Sequence, residues 1–177
     1  MKEIIIYGSK YGSAKRYAEE LSKKTGIPTV KYEDAGNIGA ANTLVYIGAV
    51  YAGGILGLKK TLGKLKNTGG KKIVIATVAL GDPKDKASVT NLRKSLKRQL
   101  SDEMYSNAKI FHLRGGVDYS KMGFMDKKMM GMMYRMLRKK PQDEQSADVR
   151  IMLETYNKTV DLVDLDTLLP IVEYLKN

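Results

Sequence analysis

The residues best suited to chemistry form one run near the N-terminus, Tyr7-Gly8-Ser9-Lys10-Tyr11-Gly12-Ser13-Ala14. Two glycines let the backbone turn tightly, so amide N–H groups can converge on an anion, and a following helix adds positive potential at its first turn. The hydroxyls of Ser9 and Ser13 and the Lys10 ammonium are further donors. The run follows an apolar β-branched segment and precedes an amphipathic one, so it reads as a strand–turn–helix cradle for a phosphate. It is not the dinucleotide fingerprint G-x-G-x-x-G, because the spacing is G-x-x-x-G, and it is not a P-loop, because no Gly-Lys-Ser/Thr occurs. A receiver domain is excluded as well: Gly8 and Gly48 stand where strand-end carboxylates are required. The bland alternative is a glycine-rich turn that only connects two elements.

Other chemistries run short of side chains. Cys is absent and His112 is the single histidine, so disulfides, thiolate zinc sites, cysteine catalysis and multi-imidazole metal sites all lack ligands. His112, between Phe111 and Leu113, reads as a strand-end or core histidine. Asp82 and Asp85 read as turn and helix-cap residues rather than a metal pair. Lys59, Lys60, Lys64, Lys66, Lys71 and Lys72 form a charge run that reads as a solvated face. Eleven dispersed Tyr follow no nucleic-acid-binding pattern.

The elements that must position the cradle are legible in the apolar patterning. Residues 3–7 (EIIIY), 43–48 (TLVYIG), 72–78 (KIVIATV) and 108–113 (AKIFHL) are continuous apolar runs, suited to parallel strands buried on both faces. Residues 28–32 read as a weaker edge strand. Between them lie helical stripes: Ala14, Tyr17, Ala18 and Leu21 within 13–24, stopped by Gly26; Ile55, Leu58, Leu62 and Leu65 within 55–66; Val89, Leu92, Leu96 and Leu100 within 87–100. A last helix, capped by Asp166, carries Leu168, Leu169, Val172 and Leu175 inward. Strands alternating with helices make an α/β sandwich with helices on both faces. The chain shows no internal repeat or linker and is expected to form a single domain over residues 1–177.

Three loops then fall at the carboxyl ends of successive strands, where open α/β sheets place ligands. They are Ser9-Lys10-Tyr11-Gly12-Ser13-Ala14, then Gly48-Ala49-Val50-Tyr51-Ala52-Gly53-Gly54, then Thr77-Val78-Ala79-Leu80-Gly81-Asp82-Pro83. In this order the chain resembles the flavodoxin superfamily. The resemblance implies a three-layer sandwich around a five-stranded parallel sheet of order 2-1-3-4-5, with FMN bound by the three loops. The cofactor-binding residues it implies are Ser9, Lys10, Tyr11, Gly12, Ser13 and Ala14 at the phosphate, Ala49, Val50, Tyr51, Ala52 and Gly53, and Ala79, Leu80, Gly81 and Asp82. The family pattern has Thr or Asn where Lys10, Tyr11 and Ala14 stand, and no Trp is present to stack on a flavin, leaving Tyr51 for that role. The implied function is electron transfer through FMN to a redox partner protein or a quinone, with no nucleic acid expected and no catalytic side chain required; the alternative that the cationic charge leaves open is a nucleic-acid-binding α/β module without flavin.

Residues 119–157 break the alternation. They read as a helical insertion that splits the last strand, which resumes at 159–163 (TVDLV). Within residues 121–140 (KMGFMDKKMMGMMYRMLRKK), Met122, Met125, Met129, Met132, Met133 and Met136 share a sector about 100° wide. Lys127, Arg135 and Arg138 lie opposite, with Lys128 and Lys139 flanking. Such a helix can pack its methionines on the protein itself, lie on an anionic membrane or meet a quinone, or form a dimer contact. Gly-Gly-Val-Asp-Tyr at 115–119 before a basic Met-rich helix, Ile-Gly-Ala at 47–49 and Val-Asp-Leu-Val-Asp at 160–164 make the chain similar in pattern to the menaquinone-dependent protoporphyrinogen oxidase branch. That likeness implies an FMN-dependent oxidoreductase donating electrons to a membrane quinone, but no particular substrate.

Charge bears on these alternatives. The chain carries +12, yet residues 141–177 hold eight acidic against three basic side chains, a balance of −5, which leaves +17 on residues 1–140. A strongly cationic body is unlike the usual acidic soluble carrier and expects an anionic partner. No secretory leader and no apolar stretch of spanning length is visible in the sequence, so the expected compartment is the cytoplasm, with peripheral contact to the inner face of a membrane as an extension of the same reading.

Overall fold

In the computed structural model, which describes residues 2–177 apart from Lys64, Lys66 and Asn67, the apolar runs become strands. The order is β1 (Glu3–Gly8), α1 (Ser13–Thr25), β2 (Thr29–Lys31), β3 (Thr43–Tyr51), β4 (Gly54–Ile55), α2 (Leu58–Leu62), β5 (Lys72–Ala79), α3 (Lys86–Gln99) and α4 (Asp102–Asn107). There follow β6 (Ala108–Arg114), β7 (Val117–Asp118), α5 (Phe124–Leu137), α6 (Ala147–Glu154), β8 (Thr159–Val160) and α7 (Leu169–Lys176).

The main sheet runs β2-β1-β3-β5-β6, all parallel, with β4 attached antiparallel to the end of β3. Counting only the parallel strands, this is the expected order 2-1-3-4-5. Because side chains alternate along a strand, each apolar run feeds two cores. Ile5, Val45, Ile47, Val74 and Ala76 meet the Ala14/Tyr17/Ala18/Leu21 stripe of α1 together with Leu168, Ile171 and Val172. Ile6, Leu44, Tyr46, Ile73 and Ile75 meet Leu58, Leu62, Leu96 and Met104 on the other face. Three layers follow directly.

Local chemistry shifts several element boundaries. The stripe expected over 55–66 is cut to Leu58–Leu62: Ile55 belongs to β4, and the helix is bounded by Gly57 and Gly63. Lys64 and Lys66 of the expected helix and lysine run lie outside the described residues. At the C-terminus the cap is Asp164, whose carboxylate accepts the Asp166 amide and opens a 3-10 turn over Leu165–Leu168 before α7. That turn rotates the helix, so Ile171 is buried while Leu169 is exposed. The insertion separates two strand pieces that pair with each other, Val117↔Val160 and Asp118↔Thr159, as an antiparallel ladder outside the parallel sheet. The chain leaves the sheet because Gly115 N–H donates to Ala79 O (2.7 Å) and Gly116 N–H to Ser13 Oγ (3.0 Å), drawing it across the strand ends. Among the described residues, no helix is long and apolar enough to cross a membrane.

Candidate functional site

The first loop is built for an anion. Gly12 is the N-cap of α1 with φ 101°, a left-handed conformation that a side chain would strain, and no side chain caps the helix. The first-turn N–H groups therefore face the loop without a side-chain acceptor, at the positive end of a 13-residue helix. Ser9 Oγ accepts the Gly12 amide (3.1 Å) and Ser13 Oγ accepts the Gly116 amide (3.0 Å). Each hydroxyl is oriented by an amide and retains its own proton to donate.

The second loop is a hairpin. β3 runs to Tyr51, turns on Ala52 and Gly53, and returns as β4 with Tyr51 paired to Gly54 and Val50 to Ile55. Positive φ at both central residues, 49° at Ala52 and 78° at Gly53, matches the turn whose twist suits such a hairpin. Helix α3 holds the hairpin from beside: Ser95 Oγ donates to Gly53 O (2.9 Å) and Gln99 Oε1 accepts the Ile55 amide (3.2 Å).

The third loop leaves β5 at Ala79 and closes on itself through Asp82, whose carboxylate accepts the Lys84 amide (2.9 Å); Asp85 then caps α3 by accepting the Ser88 amide (2.9 Å). Ser88 Oγ lies 2.6 Å from both Asp85 Oδ2 and Asp148 Oδ1 on α6, so its single proton is shared between the two carboxylates. Gly81 sits so close to Asp148 Oδ1 that a Cβ there would collide with it.

Asp126, from the first turn of α5, ties the insertion to the first two loops. Its Oδ1 accepts the Tyr51 hydroxyl at 2.6 Å and its Oδ2 the Tyr11 hydroxyl at 3.0 Å, while Lys10 Nζ lies 3.2 Å from Oδ2 and 4.9 Å from the centre of the Tyr51 ring. The Tyr51 hydrogen bond, followed by those from Tyr11 and Lys10, holds the Asp126 carboxyl below the usual carboxylate range. In return Asp126 raises the Lys10 ammonium and the Tyr51 phenol, whereas Tyr11 is raised first by burial and then by Asp126.

These parts surround one cavity of about 680 Å³, within the ~300–1,000 Å³ common for small-molecule sites. All of the loop residues expected from the sequence line it except Gly12, Ala14 and Asp82. Ala14 is turned into the core, and Asp82 is spent on its own turn. Tyr51 lines the cavity with its hydroxyl fixed by Asp126 and a lysine over its ring. The same cavity is also lined by Leu92, Met129, Met130, Met133, Ile151 and Met152, which give it an apolar wall contributed from outside the three loops. A second cavity of about 700 Å³, lined by Tyr32, Glu33, Lys60 and Lys71 among others, shares no residue with the three loops.

Asp126, Asp148, Ile151 and Met152 also shape the site, and none of them is among the residues expected from the sequence. Asp126 carried one signal, as the lone carboxylate among seven cations in residues 121–140. For the α6 residues no local signal exists, since only the path of the insertion brings them over the strand ends.

A model of the flavodoxin domain family matches residues 4–145, most of the chain. The chain belongs to the flavodoxin domain family. Among solved structures, a protein described as a flavoprotein from Bacteroides uniformis ATCC 8492 is 12% identical, over 71% of this chain and 97% of that one, with a TM-score of 0.47. A flavoprotein described from Bacteroides eggerthii DSM 20697 is 15% identical over 63% of this chain and 85% of its own, with a TM-score of 0.43. A cysteine-to-alanine variant of flavodoxin from Pseudomonas aeruginosa is 16% identical over 77% and 96%, with a TM-score of 0.44. No curated protein matches. Family membership implies a flavin, and the uncapped α1 terminus fits the phosphate of a flavin nucleotide.

Proposed function

We propose that this flavodoxin-domain protein binds FMN across its three strand-end loops and transfers electrons through it. The observation that carries the reading is the convergence of the loops after β1, β3 and β5 on one cavity that begins at an uncapped helix terminus. The amides of the α1 first turn and the hydroxyls of Ser9 and Ser13 hold the phosphate, with Lys10 adding charge. Backbone groups at Val50–Gly53 and Ala79–Gly81 border the ring, and Tyr51 walls it. Bound there, FMN supplies one- and two-electron chemistry that side chains lack. The chain's part is to orient the ring and limit water around it. Equilibrium titration with FMN and riboflavin, read by quenching of flavin fluorescence, tests this. FMN binds at one per chain and much more tightly than riboflavin if the cradle holds the phosphate; equal affinity rejects the cradle.

A second reading, an FMN oxidoreductase with an apolar second substrate such as a quinone, is favoured by the methionine-rich part of the cavity lining. Anaerobically reduced, FMN-loaded protein should be reoxidised by a soluble quinone at a rate that saturates with quinone concentration. A strictly linear dependence favours the carrier.

A further inference from the structure

Helix α5 has two apolar sides. Met129, Met130 and Met133 face the cavity, and Asp126 is buried against the loops. On the outside, Phe124, Met125, Met132 and Met136 are 79, 73, 63 and 60% exposed. At 100° per residue, Met125, Met132 and Met136 fall within about 40° of one another, and Lys128, Arg135 and Lys139 occupy the next 60° or so on one flank, with Phe124 beyond them. The stripe runs the length of a 14-residue helix, about 21 Å.

The charges on this face are largely uncommitted. The cations on it are Lys128, Arg135 and Lys139, and the one carboxylate of residues 121–140, Asp126, is engaged with Lys10, Tyr11 and Tyr51. Among the described residues, Lys128, Arg135 and Lys139 make no ion pair, and Arg135 Nε donates only to Gly131 O of its own helix (3.2 Å). Large flexible apolar side chains beside long cationic ones on a single exposed helix face are what an interfacial helix needs: the apolar groups enter the acyl boundary while lysine and arginine stems reach back to headgroups.

We infer that the outer face of α5 docks on a lipid bilayer carrying anionic headgroups. Charge complementarity selects this occupant. A second copy of the chain meeting the same face would set Lys128, Arg135 and Lys139 against the same three cations in a two-fold contact. A folded protein partner would be met by a lysine-rich, convex strip, and lysine is depleted in protein interfaces, whereas each cation near an anionic leaflet adds to the attraction. The inference stands on the exposed face alone and is independent of whether the cavity holds flavin.

The test is sedimentation of the full chain with vesicles of phosphatidylcholine alone or mixed with phosphatidylglycerol. The expected result is strong binding to the mixed vesicles, weak binding to phosphatidylcholine, and weakening with added salt. Two triple variants alter only exposed side chains: Met125→Ser/Met132→Ser/Met136→Ser, and Lys128→Gln/Arg135→Gln/Lys139→Gln. Each should reduce binding at least about tenfold while the far-ultraviolet circular dichroism stays unchanged. Absence of binding to either vesicle, equal binding to both, or variants that bind like the parent would each overturn the inference. So would a concentration-dependent dimer in analytical ultracentrifugation that the methionine variant abolishes.

Discussion

Asp126 Oδ1 accepts the Tyr51 hydroxyl at 2.6 Å, joining a helix of the insertion to the turn after the third strand across 75 positions of sequence. Its other oxygen takes Tyr11 and Lys10 from the first loop, so one carboxylate fixes two of the three site loops against α5. Asp126→Asn removes the charge and one acceptor oxygen. Unfolding in urea should show a loss of about 1–2 kcal/mol, the scale of a charge-assisted hydrogen bond set. Because the folded state lowers the Asp126 carboxyl, its contribution is complete above the ordinary carboxylate range and lost as pH falls through the lowered value. The variant's stability should therefore match the parent's more closely in acid than at pH 7.

Ala52 stands where the hairpin turn demands a left-handed residue, with φ 49°. Ala52→Gly should raise stability by about 0.5–1 kcal/mol, since the strain released exceeds the added unfolded-state entropy. Gly53→Ala should lower it by a similar amount. Thermal melts of the two single variants check both signs, and a loss from Ala52→Gly would rule out the two-residue turn.

His112 is the only histidine. Its Nδ1 is 2.7 Å from Thr77 Oγ1, and burial, with the nearby Arg93 charge, pushes its pKa down to about 4. The unfolded chain binds the proton near pH 6.5 and the folded chain only near 4, so stability is complete above about 6.5 and falls as pH drops through that window. Urea midpoints measured between pH 7 and 4 should show this slope, and His112→Gln should flatten it. An unchanged slope in the variant would assign it elsewhere.

Gly81 and Asp148 form a coupled pair. A methyl at position 81 displaces the Asp148 carboxylate from Ser88, so Gly81→Ala should cost about 1–2 kcal/mol. In an Asp148→Ala background the same change should cost much less. Additive effects in the double-mutant cycle would show that α6 does not rest on the third loop.

The parts readable in advance were those set by local pattern. The i, i+3, i+4, i+7 stripe of Ala14, Tyr17, Ala18 and Leu21 is the buried face of α1, and the β-branched runs are the parallel strands. What escaped depends on contacts distant in sequence. The methionine sector of the insertion reads as one face, yet the fold divides it, Met129 and Met133 inward and Met125, Met132 and Met136 outward, because burying Asp126 against Lys10 and Tyr51 sets the rotation of the helix. The hairpin at Ala52 was equally hidden, since alanine is not a residue that announces a left-handed turn. The Asp148–Ser88 contact has no local trace at all.

Retention of FMN by the three loops decides the proposed function. Its most direct measurement is the visible absorption of the chain purified in the presence of FMN and freed of excess by gel filtration, with the flavin quantified after denaturation. The expected result is a yellow protein carrying one FMN per chain, with a flavin band shifted from that of free FMN. A colourless protein that releases no flavin on denaturation would contradict it.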